Sequence, residues 1–360
     1  MENLKKRDNV MDLSFFKDKS VLVTGHTGFK GSWLCYLLLT LNAKVSGYAL
    51  QPPTEPNLFN ILKLENKITS FIGDVRNFEN LDNFIQDIKP EIIFHLAAQP
   101  IVLEGYKNPK YTYETNIMGT VNLLESIRKS GKVRSFVNVT TDKVYKNYEW
   151  EWGYRENDIL DGFDPYSNSK SCSELITGCY HRSFFQEFEI GISTARAGNV
   201  IGGGDFAPDR IIPDCIRSII KNESIIVRNP DSIRPYQHVL EPIVAYLHIA
   251  QLQYDNPKLS GNFNIGPDTQ DCIRTSELVE KFCNIWGENA TWGLQRNLIS
   301  HHESHYLRLD NTRVKETFGW KPKWSIEKAL EKTIEWTKNY LSGGNLENTM
   351  SSQIAEYLKD

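Results

Sequence analysis

The sequence predicts a doubly wound α/β fold: a parallel sheet of Rossmann type, helices on both faces, and a smaller mixed α/β unit toward the C-terminus. Three observations lead there. Short apolar runs alternate with helical patterns through the first half of the chain, as in sheets covered on both faces. A loop with glycines at 25, 28 and 31 joins the first run to the first helical pattern. After Arg196 the regular alternation stops and a Gly-rich loop begins.

The elements follow in order. Ser20–Thr24 is a short buried strand, and residues 32–41 form a helix after the glycine loop. Residues 44–50 and 68–72 are strands, the first followed by a Pro-rich loop and the second by Gly73-Asp74-Val75-Arg76. A helix over Phe78–Ile88 leads to a strand over 91–96, which ends in Ala97-Ala98-Gln99. A helix at 111–130, a strand at 133–140, a helix at 166–185 and a strand at 190–196 complete the alternation. Beyond it, helices are expected at 210–221, 242–252, Thr275–Trp286, 311–318 and Ile326–Leu341, with short strands at Ile225–Val227 and 263–265. The tail 345–360 is polar and suits a further helix. The expected division is a dinucleotide-binding domain over 1–195 and a second domain over 196–360, some of whose segments return to pack on the first.

Composition excludes several functional classes. A formal net charge of -4 gives no electrostatic basis for nucleic-acid or anionic-membrane binding. The apolar run 33–39 is too short to cross a bilayer, and residues 1–19 lack a signal-peptide core, so a cytoplasmic location is expected. The six cysteines include no CxxC pair and read as reduced, packed thiols. His301-His302-Glu303-Ser304-His305 has no matching ligands elsewhere, so no metal is expected.

In parallel sheets of this kind, ligands lie beyond the carboxyl ends of the strands. That rule puts the glycine loop, Asp74, residues 97–99 and residues 140–143 on one rim. Glycines permit the tight turn and close approach to a pyrophosphate, whose charge the helix N-terminus favours. The second strand ends Tyr48-Ala49-Leu50-Gln51, with no carboxylate to exclude a 2′-phosphate and no Arg to bind one, so the residues leave NAD and NADP open. Asp74 is placed to meet an adenine edge or to cap a helix. Arg210 and Arg234 suit a diphosphate, since guanidinium binds phosphate through paired hydrogen bonds.

Gly25-His26-Thr27-Gly28-Phe29-Lys30-Gly31, Thr141 ahead of Tyr166-x-x-x-Lys170, and Arg196-Ala197-Gly198-Asn199-Val200 together resemble the extended short-chain dehydrogenase/reductase superfamily. Within it the chain is most similar to the CDP-glucose 4,6-dehydratases, through Tyr48-Ala49-Leu50, Thr141-Asp142-Lys143 and Trp152-Gly153-Tyr154-Arg155-Glu156-Asn157 among other stretches. The resemblance runs from about residue 16 to about residue 341. Related sugar-nucleotide dehydratases usually carry Glu where this chain has Lys143. Two departures stand out: Leu103 and Gly105 replace a common Arg and Ser, and the acidic ribose ligand is missing.

The resemblance implies NAD held as a catalytic cofactor, CDP-glucose as substrate and CDP-4-keto-6-deoxyglucose as product, for deoxysugar and O-antigen synthesis. The catalytic set it implies is Thr141, Asp142, Lys143, Tyr166 and Lys170. The cofactor set is Gly25, Thr27, Gly28, Phe29, Lys30, Gly31, Asp74, Val75, Leu96, Ala97, Ala98, Gln99 and Thr115, with Tyr166 and Lys170. The substrate set is Gln99, Thr141, Asn199, Arg210, Arg234, Gln237 and Tyr306.

A free phenol titrates near ~10, so Tyr166 needs the charge of Lys170, one helical turn away, to act as a base at C4. Thr141 would orient the C4 oxygen. Asp142 would protonate the departing C6 hydroxyl. Lys143 would be either the C5 base or a cation for the developing enolate. Another sugar-nucleotide dehydratase of the same fold is one alternative; a 4-epimerase or reductase would need Tyr166 and Lys170 but not the acid–base pair at 142–143. A non-catalytic dinucleotide-binding regulator would need none of these five. The helices at 111–130 and 166–185 suggest, by the same resemblance, a four-helix interface in a homodimer or tetramer.

Overall fold

In the computed structural model, which describes residues 12–287, 290–294 and 305–360, the strands expected from the sequence form one sheet, except Ile225–Val227, which pairs apart with Trp292–Leu294. They are β1 (Ser20–Thr24), β2 (Lys44–Ala49), β3 (Thr69–Ile72), β4 (Ile92–His95), β5 (Ser135–Thr141), β6 (Gly191–Ala197) and β7 (Asn262–Ile265). Their spatial order is β7-β6-β5-β4-β1-β2-β3, and every pair is parallel. The order reverses between β1 and β4. This switch point is where two successive loops diverge and leave a crevice.

Helices labelled here are α1 (Phe29–Thr40), α2 (Phe78–Ile88), α3 (Gly119–Ser130), α4 (Pro165–Tyr180), α5 (Ile211–Ile220), α6 (Leu240–Asp255), α7 (Thr275–Trp286), α8 (Ile326–Leu341) and α9 (Leu346–Lys359). Helix α1 starts earlier than expected because Gly28 is its N-cap, which draws Phe29, Lys30 and Gly31 into its first turn. The expected helix 111–130 is built in three pieces: Pro109–Tyr113, a π turn at Glu114–Met118, and α3. A second π turn, His181–Phe185, closes the expected helix 166–185. Such insertions leave the apolar pattern nearly intact, which is why periodicity does not reveal them.

Four apolar clusters lie apart among the described residues; one packs α2 and α3 through Leu81, Phe84, Leu123 and Ile127 against Leu22, Ile93 and Phe136 of the sheet. The largest covers one sheet face, where α1 and α6 pack with Val23, Val137, Ala195, Val244 and Tyr246. A smaller one joins α5, α7 and α8 through Ile212, Leu278, Phe282, Leu330 and Ile334. The C-terminal half is therefore shared. Helix α6, strand β7 and helix α9 pack with the sheet, while α5, α7 and α8 share the smaller core.

Helix α9 is anchored by a buried carboxylate. Glu241 on α6 accepts hydrogen bonds from Lys323 N at 3.0 Å, Trp324 N at 2.7 Å and the Tyr357 hydroxyl at 2.6 Å. Tyr36 on α1 donates to Glu347 O at 3.0 Å, so the same helix braces the element that carries the glycine loop. Glu241→Ala would strand three donors; we expect a loss of about 2–4 kcal/mol in unfolding free energy, read from a denaturant titration. An unchanged midpoint would show that α9 docks without this clamp.

Candidate active site

The glycine loop has the form its sequence requires. Gly25 has φ +77°, and a Cβ there would lie 2.7 Å from Ala97 N. At Gly31 a Cβ would sit 2.1 Å from Gly25 O. Both positions exclude any side chain: the backbone of Leu96 and Ala97 presses on Gly25, and the loop after β1 presses on Gly31 in the first turn of α1. Gly28 caps α1 without a side-chain hydrogen bond, which leaves first-turn N–H groups for an anion. Thr27 Oγ1 donates to Leu50 O at 2.8 Å and ties the loop to the end of β2.

Leu96, Ala97 and Ala98 line the other wall of the switch point. Leu96 N donates to Thr24 O at 3.1 Å, and Ala97 N to Thr24 Oγ1 at 3.3 Å. Val75 is buried against Gly119, where a Cβ would meet its Cγ2 at 2.7 Å. Thr115, in the π turn, is buried, and its hydroxyl has no hydrogen-bond partner. A bound group is the simplest answer to that orphan. Asp74 is not a helix cap: Asn77 fills that position for α2, accepting from Asn80 N. Both Asp74 carboxylate oxygens instead hold Arg76, at 2.6 to 3.1 Å. The Gln99 side chain is also satisfied within the protein, by Thr112 at 2.8 Å and Ile101 N at 2.6 Å. The structure thus gives Gln99 a role in fixing the loop after β4, and its side chain does not reach out to the rim.

At the end of β5 the expected catalytic residues converge. Asp164 is the N-cap of α4 and accepts from Ser167 N at 3.0 Å; Pro165 follows at the first helical position. That start aims Tyr166 and Lys170 at β5. Tyr166 is buried near Thr141, whose Oγ1 donates to Asp142 Oδ1 at 3.0 Å. Lys143 N reaches Thr141 Oγ1 at 3.4 Å. Asp142 is 2 % exposed, and its Oδ2 has no partner. Gly198 leaves room beside it, since a Cβ there would lie 3.2 Å from that oxygen.

Burial sets the electrostatics. It pushes the Tyr166 phenol up to about 12, opposed by the Thr141 hydrogen bond and by Arg210. It raises the Asp142 carboxyl, opposed by Lys143, Thr141 and Arg234. Burial lowers Lys170 to about 8, opposed by the charge of Glu174, while Lys170 Nζ donates to Val139 O at 3.0 Å. Lys30 is also lowered to about 8, by burial and by its neighbours Arg210 and Lys170. Lys30 thus stands among the catalytic charges as well as in the glycine loop.

On the substrate side, Arg210 pairs with Asp205 at 2.9 Å and faces Tyr166. Its charge opposes the rise of the Tyr166 phenol, a role the sequence suggests for Lys170. Arg234 is 2 % exposed and lies near Asp142, with Nη1 donating to Ile233 O at 2.9 Å. Asn199 is partly buried and holds Gln237 N through its carbonyl at 3.0 Å. Gln237 donates to Ile265 O at 2.9 Å and keeps a buried, unpartnered Oε1. Tyr306 lies under the Arg308 guanidinium, 4.7 Å from its ring centroid. His301, His302 and Glu303 lie outside the described residues; His305 N donates to Glu149 Oε1 at 3.1 Å.

Sequence reasoning missed three contributors: Asp205, Asp164 and the fully buried Arg196–Glu174 ion pair at 2.9 Å. Glu174 also accepts from Thr140 and Thr194, binding β5 and β6 to α4 beneath the site. The Asp-Pro before a helical pattern could have flagged Asp164 as a cap. Gly105, one of the two departures, packs where a Cβ would lie 3.2 Å from Tyr166 N.

The profile of the GDP-mannose 4,6 dehydratase family matches residues 22–333. The chain belongs to that family. A CDP-glucose 4,6-dehydratase of Salmonella typhimurium is 46% identical over 356 residues, spanning 97% of this chain and 99% of the relative. Among solved structures, a UDP-glucose 4-epimerase of Thermotoga maritima with UDP-glucose superposes with a TM-score of 0.77 at 23% identity, covering 89% of this chain and 99% of that one. A dTDP-glucose 4,6-dehydratase of Bacillus anthracis in complex with NAD gives 0.74 at 22% identity, covering 89% and 97%. The structural likenesses establish the fold of this dehydratase-family chain. The Salmonella relative narrows its place within the family.

Proposed function

We propose that this chain is a CDP-glucose 4,6-dehydratase that uses bound NAD and returns it unchanged. The observation that carries the reading is the joining of two tools in one buried cluster. Tyr166 and Lys170 suit reversible oxidation at C4, and Asp142 beside Lys143 suits elimination. The 46%-identical Salmonella relative supports the choice of CDP-glucose.

The residues fit a dinucleotide. Gly25, Gly28 and Gly31 with Thr27, Phe29 and Lys30 would hold its phosphates, and Val75, residues 96–98 and the orphan Thr115 hydroxyl would line its path. When bound, NAD supplies a hydride acceptor at the first step and a hydride donor at the last. Tyr166, as phenolate, takes the C4 hydroxyl proton while Thr141 orients that oxygen. Lys143 acts at C5, as the group that takes the proton or holds the enolate charge. Asp142 delivers its proton to the departing C6 hydroxyl, and burial keeps that carboxyl protonated to higher pH than an exposed one. Arg210, Arg234, Asn199, Gln237 and Tyr306 surround the place for the diphosphate and sugar.

No helix among the described residues is long and apolar enough to cross a membrane. Met118, Leu175, Phe184 and Phe188, on α4 and on the π turns and turn adjoining α3 and α4, are 40 to 62 % exposed. Their exposure supports a helical interface between two copies of the chain.

Parallel incubation with NAD and CDP-, UDP-, GDP- or dTDP-glucose tests the reading. A 4-keto-6-deoxy product from CDP-glucose in preference to the others is expected. A C4 epimer without loss of water would overturn it.

A further inference from the structure

Resting on that reading, the elimination needs Lys143 aimed at C5, and the fold shows what aims it. Asp142–Val144 is a single 3₁₀ turn between the end of β5 and Tyr145. Asp142 is buried and accepts from the Thr141 hydroxyl. The Lys143 ammonium, by contrast, has no hydrogen-bond or ion-pair partner among the described residues. Its direction is therefore set by the backbone of the turn, and so by the two ends that fix that turn. The near end is Thr141, paired with Ala197 in the sheet. The far end is Tyr145.

Tyr145 is 2 % exposed, and its hydroxyl serves as both acceptor and donor. It accepts from Arg196 Nη1 at 2.7 Å and donates to Asn264 Oδ1 at 2.6 Å. Arg196 on β6 is locked by its buried pair with Glu174 of α4. Asn264 on β7 donates through Nδ2 to Tyr154 O at 2.8 Å and to Asp310 O at 3.1 Å. One residue before Tyr145, Val144 O accepts from Ser171 Oγ at 2.7 Å and from Asp161 N at 3.0 Å. Ser171 follows Lys170 on α4, so the turn with Asp142 and Lys143 is tied to the helix with Tyr166 and Lys170.

The same network gives a task to the stretch Gly153-Tyr154-Arg155-Glu156, which the chemistry does not otherwise use. The Tyr154 ring stacks on Tyr145, with centroids 5.2 Å apart and planes at 17°. Arg196 Nη1 also donates to Glu156 O at 3.1 Å, and Glu156 Oε1 accepts from Asn264 N at 2.9 Å. Buried polar networks of this kind are rigid when every member is satisfied.

We propose that Tyr145 is a positioning residue for the elimination, and that residues 153–156 are the buttress that holds it. Together they fix the far end of the turn and so direct Lys143 at C5. The oxidation does not lean on this device. Tyr166 and Lys170 sit on α4, whose start Asp164 sets, and Thr141 belongs to β5.

The test compares the NAD-loaded wild type with Tyr145→Phe and Asn264→Ala in rapid mixing with CDP-glucose. Phe keeps the stacked ring and removes one hydroxyl; Ala removes the acceptor of that hydroxyl, so the outcome does not hang on the folding of one variant. Reduced nicotinamide should appear within about threefold of the wild-type rate and disappear about 10- to 100-fold more slowly, the scale set by a small misplacement of a reacting group. CDP-glucose deuterated at C5 should show a larger isotope effect on that slow phase in the variants than in the wild type. If both phases slow by the same factor, or neither changes, and the isotope effect stays at the wild-type value, Tyr145 only supports the fold and the proposal is wrong. A wild type that forms no 4-keto-6-deoxy product would instead remove the dehydratase reading on which the proposal stands.

Discussion

Replacing Tyr166 with Phe is expected to lower turnover of CDP-glucose by about 10²–10⁴-fold, the usual contribution of a positioned general base. The step lost is the first one, so no reduced nicotinamide should form in a single-turnover experiment. The phenol lies buried against Thr141 and faces Arg210, and the folded protein alone raises its pKa to about 12. Binding of the cationic cofactor must therefore help to generate the phenolate, and the oxidation half-reaction should accelerate as pH rises. A Phe variant that still reduced NAD at near wild-type rate would remove Tyr166 from the mechanism.

Asp142→Asn is expected to separate the two tools. Oxidation at C4 should change by only a few fold, because it depends on Tyr166. Water loss should slow by about 10²–10⁴-fold without its general acid. Reduced nicotinamide and the 4-keto sugar should then accumulate together, visible as a persistent near-ultraviolet absorbance after rapid mixing. The pH sense is opposite to that of the first step: elimination requires protonated Asp142 and falls as pH rises through its raised pKa. The wild-type profile should be a bell, rising with the phenolate and falling with the acid. Equal loss of both half-reactions in the Asn variant would mean that Asp142 only supports the fold.

Much of this arrangement was legible in the sequence because it depends on local rules. The sheet strands follow from apolar runs, and Gly25 and Gly31 could be assigned because only glycine fits those contacts. Thr141, Asp142, Tyr166 and Lys170 converge as a strand end and a helix start require. What escaped notice depends on packing between distant segments. Strand β7 reads as an isolated run until it pairs with β6, and α9 as a polar tail until Glu241 captures it. Asp74 resembled a cap, but Asn77 three residues on had the better geometry for α2. Arg210 resembled a phosphate ligand, and only the fold shows that it also faces Tyr166.

One measurement reaches the central claim most directly: conversion of CDP-glucose with NAD in heavy water, with the product examined by mass and by nuclear magnetic resonance. The proposed chemistry takes the C5 proton off and puts one back, while the C6 hydride comes from C4 within the same molecule. The expected product is CDP-4-keto-6-deoxyglucose with solvent deuterium at C5 and none carried to C6 from solvent. A sugar nucleotide that keeps its C6 oxygen and differs only at C4 would contradict the account.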